Sequence, residues 1–176
     1  MELEAHLRAE PGEAAADFDG FFREHFPGVA RAATLVARDP GTGQDLAQEA
    51  FARLFLRWHE MNSPDRARNF VYRVAINLAR SHLRKHLRVT LSGLGRTEAP
   101  QPDPTESTAA WLEVADALTA LTPRQRACVV LSDYADLDAT AMARILGIGT
   151  GTARVHLMRG RRALRERLGI ESEETR

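Results

Sequence analysis

Hydrophobic residues recur at helical spacing along most of this chain. Between residues 17 and 36 they predict one or two helices, with Pro27 marking a bend or a new first turn. The triplet Asp39-Pro40-Gly41 predicts a loop before the next helix. The predicted core face of that helix consists of Ala47, Ala50, Phe51, Leu54, Phe55 and Trp58. Every element predicted along the chain is helical, so the expected fold class is all-α.

A further helix is predicted after the segment 61–69, whose composition is typical of a loop. The core side of this helix consists of Val71, Val74, Ala75 and Leu78. A second, polar stripe on it consists of Arg73, Asn77, Arg80 and Arg84, and Lys85 and Arg88 extend the positive charge. Trp58, Phe70 and Tyr72 are close to this stripe in sequence. Basic grooves with aromatic side chains bind unpaired nucleic-acid bases, although core packing is the alternative for each of these aromatic residues.

The helical periodicity disappears between residues 89 and 108, where glycine, proline and acidic residues are frequent. We therefore predict two small helical domains joined by a flexible acidic linker. The predicted segments are a mobile N-terminal arm at 1–16, a first domain at 17–88, the linker at 89–109, a second domain at 110–169 and an acidic tail at 170–176.

The second domain ends in a pattern that predicts a helix-turn-helix between residues 138 and 168. Apolar residues at helical spacing stop at a break around Gly147 and then resume. Asp138 is placed to cap the first helix of the motif, and Thr150 is placed to cap the second. Upstream, Thr122 and Gln125 predict a capping box at the start of another helix. The compact turn before a basic helix is the geometry that lets a helix enter the major groove of DNA.

The formal net charge is zero, but the charges are strongly segregated along the chain. Residues 63–96 contain 8 basic and 1 acidic side chains, and residues 150–168 contain 6 basic and 1 acidic. Acidic segments lie on either side of the first basic block. Two separate surfaces facing DNA would produce this pattern, and so would two unrelated solvent-exposed faces.

Several kinds of protein are disfavoured by the sequence. The single Cys128 excludes a disulfide framework within the chain, and it lies on an apolar helical stretch where a small buried side chain is the expected role. His82 and His86 could share a metal ion, but no third ligand is suitably spaced, so we expect neither a metal nor another cofactor. The absence of a signal peptide pattern and of a long apolar run predicts a soluble, cytoplasmic protein without membrane insertion. A phosphate-binding loop and a nucleophile with an acid–base partner are also missing, which argues against an enzyme.

Four stretches, in this order, resemble the extracytoplasmic-function (ECF, group IV) sigma factors of bacterial RNA polymerase. The first two are DLAQEAFARLF at 45–55 and FVYRVAINLAR at 70–80. The others are LTPRQR at 121–126 and LGIGTGTARVHLMRGRRAL at 146–164. The resemblance covers roughly residues 18–168 and implies an adaptor that confers promoter specificity, not a catalyst. Its first domain would be sigma region 2 and its second would be sigma region 4.

The resemblance also implies partners. In this family region 2 binds the clamp helices of the largest subunit of core RNA polymerase, and the matching residues here are Asp45, Gln48 and Glu49. Helical periodicity independently places these three on the face opposite the core. The acidic linker would follow the RNA exit path of the polymerase, and an anti-sigma factor would hold the protein inactive.

The resemblance further implies two contacts with promoter DNA, single-stranded at the −10 element and duplex at the −35 element. A loop that captures a flipped base and the basic helix after it would contact the −10 strand through Asn62, Ser63, Asp65, Arg66, Arg68, Arg73, Asn77, Arg80 and Arg84. The second helix of the helix-turn-helix would contact the −35 element through Thr152, Arg154, Val155, His156, Met158, Arg159 and Arg162. Val155 and Met158 can touch thymine methyl groups there.

Two other interpretations remain open from the residues alone. A stand-alone helix-turn-helix regulator would explain residues 110–168 but would leave the basic first domain without a role. A helical scaffold without any DNA contact would treat both basic blocks as solvent-exposed faces.

Overall fold

The structure is a computed structural model that describes residues 11–91 and 109–170. Its helices are α1 (Pro11–Ala37), α2 (Pro40–Phe55), α3 (Pro64–Leu91), α4 (Ala109–Thr119), α5 (Pro123–Val129), α6 (Ala139–Leu146) and α7 (Thr150–Leu168). A 3-10 turn at Trp58–Glu60 lies between α2 and α3, and a π-helical segment at Val130–Tyr134 continues α5. No strand occurs in the two described ranges, and the predicted all-α fold is confirmed.

The N-terminal bundle consists of α1, α2 and α3 packed around an aromatic cluster. The ring of Phe51 on α2 lies 4.9 Å from that of Phe22 and 5.7 Å from that of Phe26, both on α1. Val71 and Ile76 of α3 are completely buried in the same core. A methyl group on Gly43 would lie 2.1 Å from the Thr34 side chain, so α1 and α2 approach closely only because residue 43 has no side chain.

Three prolines have positions that differ from the simplest sequence interpretation. Pro40 begins α2 instead of lying in a loop, because Asp39 caps that helix and Oδ1 of Asp39 accepts a hydrogen bond from the Thr42 N–H at 2.6 Å. Pro64 likewise begins α3 after Ser63, whose Oγ accepts from the Arg66 N–H at 3.2 Å. A proline is favoured in the first turn of a helix, where its missing N–H costs nothing. Pro27 lies inside α1, and the helix is continuous through it.

The early start of α3 corrects one prediction about the −10 residues. Asp65, Arg66 and Arg68 were expected in a loop, but they lie in the first turns of α3. Only Asn62 and Ser63 precede the helix.

The C-terminal bundle consists of α4 to α7, and most of its predicted helix ends are confirmed. Thr122 and Gln125 form the expected capping box, and Asp138 caps α6 through a 2.7 Å hydrogen bond from the Ala141 N–H. Gly147 ends α6 in the left-handed conformation, with φ 65°. The prediction for Thr150 is wrong, because Gly149 occupies the N-cap of α7 and Thr150 is the first residue inside the helix.

The buried guanidinium of Arg126 joins α5 to the end of α4. Its Nε donates to the Leu118 carbonyl at 2.8 Å, and its Nη2 donates to the Leu121 carbonyl at 3.3 Å. Burial lowers the pKa of Arg126 to about 10, so the side chain keeps its charge at neutral pH. The charged side chain thus satisfies two carbonyl groups at the C-terminal end of α4. The sequence pattern does not predict this interaction.

One apolar residue lies outside the core in which it was expected. Phe55 is 54% exposed, although helical spacing placed it on the core face of α2. Phe55 is the last residue of α2, and its ring packs edge-on against Phe18 of α1 with centroids 5.0 Å apart. Cys128 has the buried position that was predicted.

The two bundles pack directly against each other. α6 and α5 contact α3, and the π-helical segment contacts α1. Nη2 of Arg68 donates to the Ala135 carbonyl, and Nδ2 of Asn77 donates to the Ile145 carbonyl at 3.1 Å. The predicted linker and tail lie almost entirely outside the described residues. α3 runs to Leu91 and α4 begins at Ala109, so helix reaches slightly into both ends of the predicted linker.

Candidate nucleic-acid and polymerase surfaces

Helix α7 has one buried and one open side. Ala153 is completely buried, and Gly160 faces α5, where a methyl group would lie 2.8 Å from Val129 Cγ2. The opposite side presents residues that the sequence analysis assigned to the −35 element. Those exposed to solvent are Thr152, Arg154, Val155, Met158, Arg159 and Arg162. The predicted contact residues therefore share one accessible face, with His156 at its edge.

The arginines of α7 differ in their partners. Arg161 forms an ion pair with Asp133 in the π-helical segment, and Arg167 forms one with Asp116 of α4 at 3.1 Å. Arg162 is bound to Glu166 one turn further on, at 2.8 Å. Among the described residues, Arg154 and Arg159 have neither an ion pair nor a hydrogen-bond acceptor for their guanidinium groups. These two charges are available to an external anion such as DNA phosphate.

His156 is half-buried between the open face of α7 and the bundle. Burial lowers the pKa of His156, and the nearby Arg124 and Arg159 lower it further. Its Nδ1 is buried without a hydrogen-bond partner. The imidazole is therefore held in its neutral form at neutral pH, and it can still donate or accept one hydrogen bond.

The polar stripe of α3 lies along the boundary between the bundles. Arg73, Asn77 and Arg84 are exposed to different extents, and Arg80 is half-buried. Burial lowers the pKa of Arg80, and Arg84 and Arg124 lower it further, which places Arg80 next to α5 of the other bundle. Nη1 of Arg80 also donates to Oδ1 of Asn77 at 3.3 Å. The stripe is thus a continuous row, but the C-terminal bundle already engages its middle.

The start of α3 gathers the other residues predicted for the −10 element. Oδ1 of Asn62 accepts from Nη1 of Arg66 at 3.3 Å, and Ser63 caps the same turn. Asp65 is exposed beside them. Arg68 lies a turn further on, and its guanidinium is 5.7 Å from the ring centroid of Tyr72.

An open cleft of about 420 Å³ separates this turn from α6. Its walls are formed by Arg57, Met61, Arg66, Asn69, Phe70, Arg73, Ala141, Arg144 and Ile145. Arg66 and Arg73 were predicted as contact residues from the sequence, whereas Arg57, Asn69 and Arg144 were not. No sequence signal joins Arg144 to the others, because it is 71 or more residues away and only the packing of the bundles brings it near.

Helix α2 presents the acidic face that the sequence analysis predicted. Asp45, Gln48 and Glu49 are all exposed, and Glu49 binds Arg53 at 2.5 Å. The exposed apolar pair Phe55 and Leu56, 54% and 75% exposed, follows on α2 and its C-cap. The sequence pattern predicted Phe55 on the core face and did not single out Leu56, although position 55 comes seven residues after Gln48 and so also lies near its side of the helix.

Other chemistry has little support in the described residues. No cluster of three or more potential metal ligands occurs among them, and the rings of His82 and His86 stack with centroids 6.4 Å apart. Burial raises the pKa of the Cys128 thiol to about 11, which suppresses the reactive thiolate. Among the same residues, no helix combines the length and the apolar character needed to cross a bilayer.

The two bundles match two family models. Residues 21–89 match Sigma-70 region 2, and residues 111–164 match Sigma-70, region 4. An RNA polymerase sigma-E factor of Streptomyces coelicolor is 31% identical to this chain over 152 residues, which cover 86% of both proteins. The chain belongs to the extracytoplasmic-function sigma factors. The ECF RNA polymerase sigma factor SigE of Mycolicibacterium smegmatis is also 31% identical, over 93% of this chain and 67% of its own length.

Solved structures share the fold of this sigma factor. The sigma factor RpoE in complex with the anti-sigma factor NepR from Bartonella quintana has a TM-score of 0.73 at 21% identity, covering 89% of this chain and 99% of that one. CnrH in complex with the cytosolic domain of CnrY has a TM-score of 0.65 at 20% identity, covering 92% and 96%. The resemblance drawn from four short motifs is confirmed. As a sigma factor, the protein directs promoter-specific transcription initiation and is not itself an enzyme.

Proposed function

We propose that this sigma factor recognises the −35 element with α7, captures the −10 strand with α3 and binds core RNA polymerase with α2. The observation that carries the proposal is the open face of α7, where Arg154 and Arg159 lack partners among the described residues and Val155 and Met158 are 41% and 62% exposed. Guanidinium groups suit phosphate and guanine, and exposed apolar side chains suit thymine methyl groups. A helix-turn-helix with these properties is built for the major groove.

The polymerase contact is assigned to the outer face of α2. Asp45, Gln48 and Glu49 form its acidic part, and Phe55 and Leu56 add an apolar part at the end of the helix. Exposed large apolar side chains beside charged ones are typical of protein interfaces. We assign this whole surface to the clamp helices of the largest polymerase subunit, and we place the protein in the cytoplasm with that enzyme.

The −10 contact is assigned to the stripe of α3 and to the turn before it. In the present arrangement the C-terminal bundle engages Arg68 and Asn77 and half-buries Arg80. A DNA strand cannot bind these side chains while α6 and the segment after α5 are in contact with them. Region 2 and region 4 therefore separate before the −10 strand is captured.

The closed arrangement suits control by an anti-sigma factor. A sigma factor bound to an anti-sigma factor shares the fold of this chain over 89% of its length. An anti-sigma factor that holds region 4 against region 2 would keep the −10 surface covered.

Run-off transcription with purified core RNA polymerase on genomic fragments of the source bacterium tests the proposal. We expect discrete new transcripts that require this protein, with start sites that reveal common −35 and −10 sequences. The double charge reversal Asp45→Lys/Glu49→Lys should abolish both transcription and co-purification with the polymerase. The matched control Asp19→Lys, an exposed reversal on α1, should keep both. Unchanged co-purification of the double variant would refute the assigned polymerase surface.

A further inference from the structure

The cleft between the two bundles, defined above by its lining residues, is positively charged, and only Arg66 and Arg73 among its arginines are also assigned to the proposed −10 contact. Arg57, Arg66 and Arg73 contribute guanidinium groups from the N-terminal bundle, and Arg144 contributes one from α6. No carboxylate is among the residues that line it. Glu60 neutralises Arg57 through bonds of 2.6 and 2.9 Å, so an excess of positive charge remains. Packing of the two bundles brings their guanidinium groups together. The repulsion between these like charges opposes the closed arrangement.

The arginines on the N-terminal wall are held in place. The guanidinium carbons of Arg57 and Arg73 lie 5.5 and 5.4 Å from the ring centroid of Phe70. Arg66 is held by Asn62 at 3.3 Å. Side chains fixed in this way lose little conformational freedom when a ligand binds, and arginine forks match the oxygen atoms of phosphate.

We propose that this cleft binds a phosphate group, free or as a phosphate monoester, which bridges Arg66 and Arg73 of region 2 to Arg144 of region 4. The bound anion cancels the repulsion between the two walls and holds the bundles closed. The cleft volume of about 420 Å³ is larger than one phosphate and leaves room for an attached nucleoside. The consequence for transcription rests on the proposed covering of the −10 surface, but the binding itself does not.

The test uses the full chain labelled with a donor and an acceptor dye at Asp19→Cys and Glu113→Cys, both exposed and in different bundles. Energy transfer and thermal unfolding are followed while sodium phosphate or adenosine monophosphate is added, with sodium chloride of equal ionic strength as the control. We expect phosphate to increase both energy transfer and unfolding temperature, and sodium chloride to change neither. A tighter response to the nucleotide would identify a phosphate monoester as the ligand, and an equal response would identify free phosphate.

Arg144→Gln is the decisive variant because its side chain is exposed and belongs to neither assigned DNA nor polymerase contact. It should weaken the phosphate response at least tenfold, whereas the matched control Arg88→Gln, near the end of α3, should respond like the parent protein. Circular dichroism checks that both variants are folded. Equal effects of phosphate and sodium chloride, or an unchanged response of Arg144→Gln, would overturn the proposal. None of these readouts involves promoter or polymerase, so their failure would leave the sigma-factor assignment intact.

Discussion

Helices α7 and α3 both carry a row of basic residues, but the other bundle covers only the row on α3. On α7, Arg154 and Arg159 face solvent with no partner among the described residues. On α3, Asn77 is bound to the Ile145 carbonyl and Arg80 is half-buried beside α5. The polar row on α7 is therefore open to solvent, whereas the row on α3 is partly covered by the other bundle. Under the proposed assignment, duplex DNA at −35 binds to the protein as it stands, whereas strand capture at −10 requires the bundles to separate.

The largest effect that separates the two rows is expected in transcription. Asn77→Ala/Arg80→Ala removes two proposed strand contacts, each worth about 1–3 kcal/mol, so run-off transcription should fall by about 100-fold. Duplex binding at −35, measured by gel shift, should change by less than about twofold, because α7 is untouched. Arg154→Ala is the converse variant and should weaken the duplex complex by about 1–3 kcal/mol. Equal losses in both assays for all variants would contradict the assignment of −35 binding to α7 and of −10 strand capture to α3.

A smaller effect sharpens the contrast between the two sides of α7. Gly160→Ala places a methyl group 2.8 Å from Val129 Cγ2 and 3.3 Å from the Gln125 carbonyl oxygen. The overpacking should lower the free energy of unfolding by about 1–3 kcal/mol. Gly151→Ala on the open side meets nothing within 4 Å, and it should raise the free energy of unfolding by about 0.5–1 kcal/mol through helix propensity. Urea unfolding measures both variants, and a stabilised Gly160→Ala protein would show that α7 does not pack closely on α5.

The smallest expected effect is on the pH dependence of the free energy of unfolding, and it comes from His156 at the edge of the open face of α7. Because burial and the nearby Arg124 and Arg159 lower the pKa of His156 below 6.5, the unfolded chain binds more protons than the folded one as the pH falls below 6.5. Stability should therefore decrease with acidification in this range. His156→Gln removes this contribution, so its free energy of unfolding should fall less between pH 7.5 and 5.5, while other titrating groups such as His25 act equally in both proteins. Identical losses would mean that His156 is not held neutral by the fold.

Much of each bundle could be predicted from sequence, because local signals decide it. Helical spacing identified the core positions Phe51 and Leu54, and capping residues located the ends of helices at Thr122 and Asp138. The two errors at Pro40 and Pro64 share a cause. Proline after a capping residue has the same local composition in a loop and in the first turn of a helix.

The relation between the bundles could not be predicted, because the hydrogen bonds described between them run from polar side chains to backbone carbonyls. Asn77 and Arg68 were predicted as DNA contacts, and in the closed arrangement they donate to the carbonyls of Ile145 and Ala135. Carbonyl acceptors exist at every residue, so no sequence pattern marks them. The position of Arg144 in the cleft could not be predicted either, because only the packing of α6 on α3 brings it there.

The most direct test of the account is transcription by a protein whose bundles are held together. Met61 and Arg144 line the cleft from different bundles, so Met61→Cys and Arg144→Cys can be joined by a reducible thiol cross-linker that spans it, while native Cys128 is completely buried. Each single variant treated with the same reagent serves as a control. The account predicts that the cross-linked protein yields no run-off transcript with core polymerase and that reduction restores transcription. Full transcription by the cross-linked protein would contradict the claim that region 4 must leave region 2 before the −10 strand is captured.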